Sequence, residues 1–119
     1  MQKNILIIED DEDIRIMMSY ILTEEAYLVN TFADSPGIEG IKAVAPAMIL
    51  LDNRLSAGYG SDLCKQLKSD PETAGIPVVI VSAVSGLREL AASAGADAYL
   101  DKPFSLEQLT ELAAKFLTR

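Results

Sequence analysis

An α/β fold, a doubly wound parallel sheet with helices on both faces, is predicted by three observations. Wholly apolar runs recur at residues 5–8, 48–51 and 77–81. Consecutive apolar positions suit strands buried on both faces, the condition of strands in a parallel sheet. The segments between them carry apolar residues at helical intervals. Two runs end abruptly in acids, Glu9-Asp10 and Asp52. These acids fall at strand carboxyl ends, where open parallel sheets place their ligand sites.

Each element has its own signal. Residues 5–8 form the first strand. Ile14, Met17, Met18, Ile21 and Leu22 repeat with helical spacing, which predicts a first helix over 12–24. Residues 27–32 read as a second strand. Ser35-Pro36 opens a second helix, since proline is tolerated in a first turn, and Pro46 bounds that segment on its far side. Residues 48–52 are the third strand. Leu63, Cys64 and Leu67 mark a third helix that ends before Asp70-Pro71. Residues 77–81 are the fourth strand. Leu87, Leu90, Ala91 and Ala94 give a fourth helix, stopped by Gly95. Residues 98–100 make a short fifth strand. Ser105 caps the last helix with Gln108 in capping-box position, and Leu109, Ala113, Phe116 and Leu117 lie on its buried side. Five such units imply right-handed crossovers between parallel strands. Spacing does not fix strand order; the flavodoxin-like 2-1-3-4-5 arrangement is the common choice at this size.

The totals bound the function. A chain of 119 residues, 50% hydrophobic, is one globular domain, 1–119. No apolar run approaches the roughly 18 residues that span a bilayer, so no membrane partner is expected. The first apolar stretch is too short for a signal peptide. Cys64 is the single cysteine; it excludes an internal disulfide and fits a reducing cytoplasm. Without histidine, zinc is a poor match. Any metal should be hard and oxygen-liganded, Mg²⁺ first and Mn²⁺ as its substitute. A net charge of −8 argues against direct nucleic-acid binding. Five of the eighteen acids crowd into residues 9–13.

Glu9, Asp10 and Asp52 are the candidate site. Two carboxylates about 4 Å apart repel by roughly 4 kcal/mol at an effective dielectric near 20. A divalent cation removes that cost and can bridge to phosphate oxygens. Asp11, Glu12 and Asp13 instead suit the first helix dipole. Ser82 follows the apolar run of the fourth strand, and its hydroxyl can reach a phosphate oxygen; an ordinary strand-end serine is an equal reading. Lys102, in Asp101-Lys102-Pro103-Phe104, lies at the same edge and can hold a phosphoryl group as a point charge. Its plain alternative is a surface ion pair with Asp101. The isomer of the Lys102–Pro103 bond is open. Tyr99, taken alone, reads as half-buried packing.

Taken together, Ile8-Glu9-Asp10-Asp11, Leu51-Asp52, Ser82-Ala83 and the run from Gly95 through Tyr99 to Lys102-Pro103-Phe104 resemble the receiver (CheY-like) domain of bacterial two-component response regulators. The resemblance covers essentially the whole chain, in order. It implies that Asp52 accepts a phosphoryl group from a histidine kinase or a histidine phosphotransfer protein. It implies a Mg²⁺ held by Glu9, Asp10, Asp52 and the backbone carbonyl of Arg54. Ser82 and Lys102 match the phosphate-contacting hydroxyl and lysine, and Tyr99 the aromatic switch. The output face would be the fourth helix, fifth strand and fifth helix, open to an output protein. The domain is not a turnover enzyme under this reading, because it is itself the phosphorylated product.

Departures sharpen these expectations. Ser56 stands where the family usually carries proline, which predicts a looser loop around Arg54. Arg54 and Val84 hold the two variable positions beside the phosphate, and a long cation at 54 is expected to slow self-dephosphorylation. The stretch from Ser82 to Lys102 is about two residues short of the usual length. Ala98 and Leu112 replace an acid and an arginine that commonly pair across a dimer, so Leu112 points to another partner or to half-buried packing. The competing reading is a receiver-like interaction module that no longer cycles phosphate. A phosphohydrolase with an aspartyl nucleophile would need a second aspartate at position 54, where Arg54 stands.

Overall fold

The computed structural model describes residues 3–56 and 58–117; Met1, Gln2, Ala57, Thr118 and Arg119 lie outside them. Five parallel strands form one sheet: β1 (Asn4–Ile8), β2 (Leu28–Phe32), β3 (Met48–Asp52), β6 (Val78–Ser82) and β7 (Ala98–Asp101). A separate antiparallel pair, β4 (Arg54–Leu55) and β5 (Gly58–Tyr59), interrupts the series after β3. The helices are α1 (Glu12–Glu24), α2 (Gly37–Val44), α3 (Gly60–Ser69), α4 (Leu87–Ala94) and α5 (Leu106–Leu117). The sheet order is β2-β1-β3-β6-β7, the doubly wound order expected once the small hairpin is set aside.

Alternation along the strands divides the core into two layers. Leu6, Ile8, Ile49, Leu51, Val78 and Ile80 face α2, α3 and α4, meeting Ile41, Cys64, Leu67 and Ala91. Ile5, Ile7, Met48, Leu50, Val79 and Val81 face α1 and α5, meeting Met18, Leu22, Leu109 and Ala113. β1, β3 and β6 are apolar on both faces because both are covered. β2 is an edge strand and carries a largely exposed pattern, with Leu28 half open to solvent.

Local sequence sets the ends. The Asp11 side chain accepts the Ile14 N–H, closing the start of α1, and Glu12 and Asp13 fill its first turn. Ser105 and Gln108 form the expected reciprocal box, with Ser105 N–H donating to Gln108 Oε1 at 2.8 Å and Gln108 N–H to Ser105 Oγ at 3.0 Å. Gly95 ends α4 at φ +79°, a backbone angle that a Cβ would strain. Several boundaries move by a residue or two: β2 begins at Leu28, α2 at Gly37 after Pro36, and β6 runs Val78–Ser82.

Candidate functional site at the carboxyl edge

Parallel register assembles the site. Ile8 pairs with Leu51, Asp52 with Val81 and Ser82 with Asp101. The residues just beyond these pairs, Glu9-Asp10 and Lys102, therefore emerge at one rim, beside Asp52 and Ser82 at their strand ends. A cleft of about 700 Å³ opens there, lined by Glu9, Asp10, Asp52, Arg54, Ser82 and Lys102, with Tyr59 and Val84 at its sides.

Glu9, Asp10 and Asp52 each offer a carboxylate oxygen, and these oxygens lie within 4.8 Å of one another. Glu9 is 1% exposed and Asp52 5%, whereas Asp10 is open to solvent. Lys102 Nζ lies 3.0 Å from Glu9 Oε1 and 3.6 Å from Asp52 Oδ1. The sequence alternative, a Lys102 partnership with Asp101, is not the one adopted here. The Lys102–Pro103 peptide is cis.

One ammonium faces three carboxylates, two of them buried, and the charges do not balance. Burial pushes the Glu9 carboxyl up to about 7, with Lys102 opposing and Asp52 adding to the rise. Asp10 is raised above its ordinary value chiefly by the facing Asp52 carboxyl. Glu9 Oε2 accepts from Lys102 Nζ and from the Asp11 N–H. Its buried Oε1 sits close to the same ammonium but accepts no well-aligned hydrogen bond. A buried carboxylate oxygen left in that state, inside a set of oxygen donors only, fits a hard dication such as Mg²⁺. Arg15 steadies the acidic turn from α1, its guanidinium donating to the Glu9 carbonyl at 2.9 Å.

The remaining predicted residues fall in two places. Ser82, 8% exposed, lies in the cleft, where its Oγ accepts the Val84 N–H at 3.2 Å. Arg54 is exposed at the mouth, and its backbone N–H reaches Asp52 Oδ1 at 3.3 Å. Tyr99 is not in the cleft; it sits on the outer edge strand, 39% exposed, level with Ile80.

The sequence reading missed the β4–β5 hairpin and with it Tyr59, which pairs with Arg54. The described residues on either side of Ser56 are hydrogen-bonded across the loop. Gly60 N–H donates to the Asn53 carbonyl at 2.7 Å, and Ser61 N–H to Asn53 Oδ1 at 3.0 Å. An added Cβ at Gly60 would collide with the Asp52 carbonyl oxygen, so only glycine fits. The Gly58-Tyr59-Gly60 spacing is the signal that marks this turn in the sequence.

With this geometry in view, comparison with known proteins defines the class. The response regulator receiver domain matches residues 5–114, and the chain belongs to that family. It is 30% identical to the phosphate regulon transcriptional regulatory protein of Rhizobium meliloti, over all of this chain and 54% of that protein. It is 28% identical to hybrid signal transduction histidine kinase D of Dictyostelium discoideum, over 96% of this chain and 8% of that kinase. The chain thus spans about half the length of the bacterial regulator and a small part of the kinase. A response regulator from Chloroflexus aurantiacus superposes with a TM-score of 0.92 at 26% identity, covering 100% of both chains. The receiver domain of a Pseudomonas aeruginosa sensor histidine kinase, with a magnesium ion coordinated in its active-site cleft, superposes at 0.83 with 25% identity, over 98% of each. This chain is therefore a receiver domain, a signalling domain of two-component systems. Among the described residues no helix is long and apolar enough to cross a membrane.

Proposed function

We propose that residues 1–119 act as one cytoplasmic receiver domain that takes a phosphoryl group on Asp52, in a Mg²⁺-dependent transfer from a phosphohistidine of a kinase or phosphotransfer protein. One observation carries this reading: the carboxylates of Glu9, Asp10 and Asp52 converge within 4.8 Å, with the Lys102 ammonium 3.6 Å from Asp52 Oδ1. Glu9, Asp10, Asp52 and the Arg54 carbonyl would hold the ion. When bound it would screen the carboxylates and draw the phosphoryl oxygens into line. Asp52 supplies the attacking oxygen; the P–N bond to the donor imidazole breaks, and the phosphoryl group stays on the carboxylate. Lys102 would then exchange part of its contact with Glu9 for the new anion, and positioning with electrostatics would do most of the catalysis.

The product carries nearly two negative charges. Ser82 would donate its hydroxyl proton to them, while its oxygen goes on accepting the Val84 N–H. Tyr99, now exposed, would move inward as Ser82 shifts, changing the surface of α4, β7 and α5 for an output partner. Leu112 lies on that face, partly buried against the core.

Incubation with a small acyl phosphate and Mg²⁺, read by intact mass, tests the proposal. One added phosphoryl group is expected in the native chain and none in Asp52→Asn. No mass gain at any Mg²⁺ concentration would instead favour an interaction module that does not cycle phosphate.

A further inference from the structure

The loop after Asp52 lacks the expected proline, yet its described residues are bonded across it. Four contacts close it. Arg54 pairs with Tyr59 and Leu55 with Gly58 across the hairpin. The Asn53 carbonyl accepts the Gly60 N–H at 2.7 Å, and its side-chain Oδ1 accepts the Ser61 N–H at 3.0 Å. Tyr59, at the cap position of α3, makes no side-chain capping bond. The cap comes instead from Asn53, eight residues before Ser61 and 7% exposed. The Asn53 side chain therefore satisfies an orphan donor of α3, while its backbone carbonyl ties Gly60 to the start of the hairpin.

We infer that Asn53 is a positioning residue of this site, a clasp that holds Asp52 and the Arg54 carbonyl in register for a hard dication. The inference rests on the metal-dependent reading above and deepens it. Asn53 lines the cleft, but its Oδ1 is taken by the Ser61 N–H, so it would act through the loop that carries Asp52 and Arg54. Asn53 thus does the stiffening that proline at position 56 would otherwise do. Ser56 is exposed at the turn and free to be a serine because the clasp lies elsewhere.

The test is a MgCl₂ titration of the full chain, followed by backbone amide shifts at Asp10 and Arg54, with amide exchange of Ser61 measured in metal-free protein. Asn53→Leu keeps the branched shape and removes the acceptor. It should weaken Mg²⁺ binding about tenfold, the usual scale for a residue that orients ligands, and expose the Ser61 amide to exchange. Asn53→Asp restores an acceptor at the helix start and should recover both Ser61 protection and Mg²⁺ binding. Ser56→Pro added to Asn53→Leu should recover binding without recovering Ser61 protection, which a residue with only a folding role would not allow. If Asn53→Leu does not fold, Asn53→Ala carries the same comparison. Unchanged Mg²⁺ affinity in the folded Leu or Ala variant overturns the inference alone. A native chain that shows no Mg²⁺-dependent shifts overturns the metal-site reading, and this inference with it.

Discussion

Two clusters in this protein contain the same charges, one lysine among three carboxylates, yet opposite things happen in them. At the carboxyl edge Lys102 faces Glu9, Asp52 and Asp10 in a recess whose floor is strand core. Elsewhere Lys42, on α2, meets Asp70 at 2.9 Å, Glu39 at 3.4 Å and Glu72 at 3.6 Å. There the Glu39 and Glu72 side chains are 89% and 73% exposed. The Lys42 ammonium holds the Asp70 carboxyl below its ordinary value, and Asp70 in turn raises Lys42. At the recess Glu9 and Asp10 move up instead. Water solvates and screens the excess acids around Lys42, but it cannot reach Glu9 to do the same. Formal composition does not decide whether a charge cluster is at ease: burial raises Glu9, and the Asp52 carboxyl facing it raises Asp10, which is open to solvent.

Removing the recessed lysine should break this comparison most sharply. Lys102→Met is expected to destabilise the metal-free protein by about 3 kcal/mol in urea at pH 8, since it leaves the buried carboxylates unpaired. A midpoint equal to that of the native chain would show that Glu9 and Asp52 do not depend on Lys102.

A pH series comes next. Glu9 holds its proton more tightly in the folded chain, at about 7 against an ordinary 4.5. Between those values the folded state binds more protons than the unfolded one. Its contribution to stability is therefore complete below pH 4.5 and is lost as pH rises through 7. Metal-free protein should lose roughly 2 kcal/mol over that interval, allowing for relaxation of the site. Glu9→Gln should flatten the slope; an equally steep slope in that variant would assign the effect to other groups. Asp70 has the opposite sign, its contribution being present above its ordinary value and lost on acidification.

Arg54→Ala asks whether a cation on the rim matters as the recessed one does. A few-fold shorter lifetime of the phosphorylated chain, followed by intact mass after donor removal, is expected if Arg54 screens attacking water. An unchanged lifetime would confine the electrostatics to Lys102. The smallest effect belongs to Lys42→Met, which should leave the urea midpoint at pH 8 close to that of the native chain. A large drop there would mean that solvent exposure does not separate the two clusters.

Much of the site is legible in the chain alone. Glu9, Asp10 and Asp52 directly succeed apolar runs, so pattern places them at strand ends, and the run through Pro103-Phe104 picks out Lys102. The helix starts at Asp11 and Ser105 are equally legible, because capping is a local contest among neighbouring backbone groups. The hairpin at Arg54–Leu55 and Gly58–Tyr59 is not, since two-residue strands carry no periodicity. Asn53 is invisible as a cap because the amide it satisfies lies a whole loop away. The absence of proline at Ser56 suggests slackness, and nothing in the local sequence signals the bond from the Ser61 N–H to Asn53 Oδ1 across the loop.

By itself the sequence determined the strand–helix rhythm, the two-sided burial of β1, β3 and β6, and which edge carries the acids. These depend on the order of side chains along the chain, through hydrophobic burial and local capping. Tertiary structure alone decided that Lys102 pairs with Glu9 rather than Asp101, that Glu9 is desolvated while Glu39 is not, and that Asn53 closes its loop. Those outcomes depend on distance and on solvent access between residues far apart in sequence, which strand register and helix packing set.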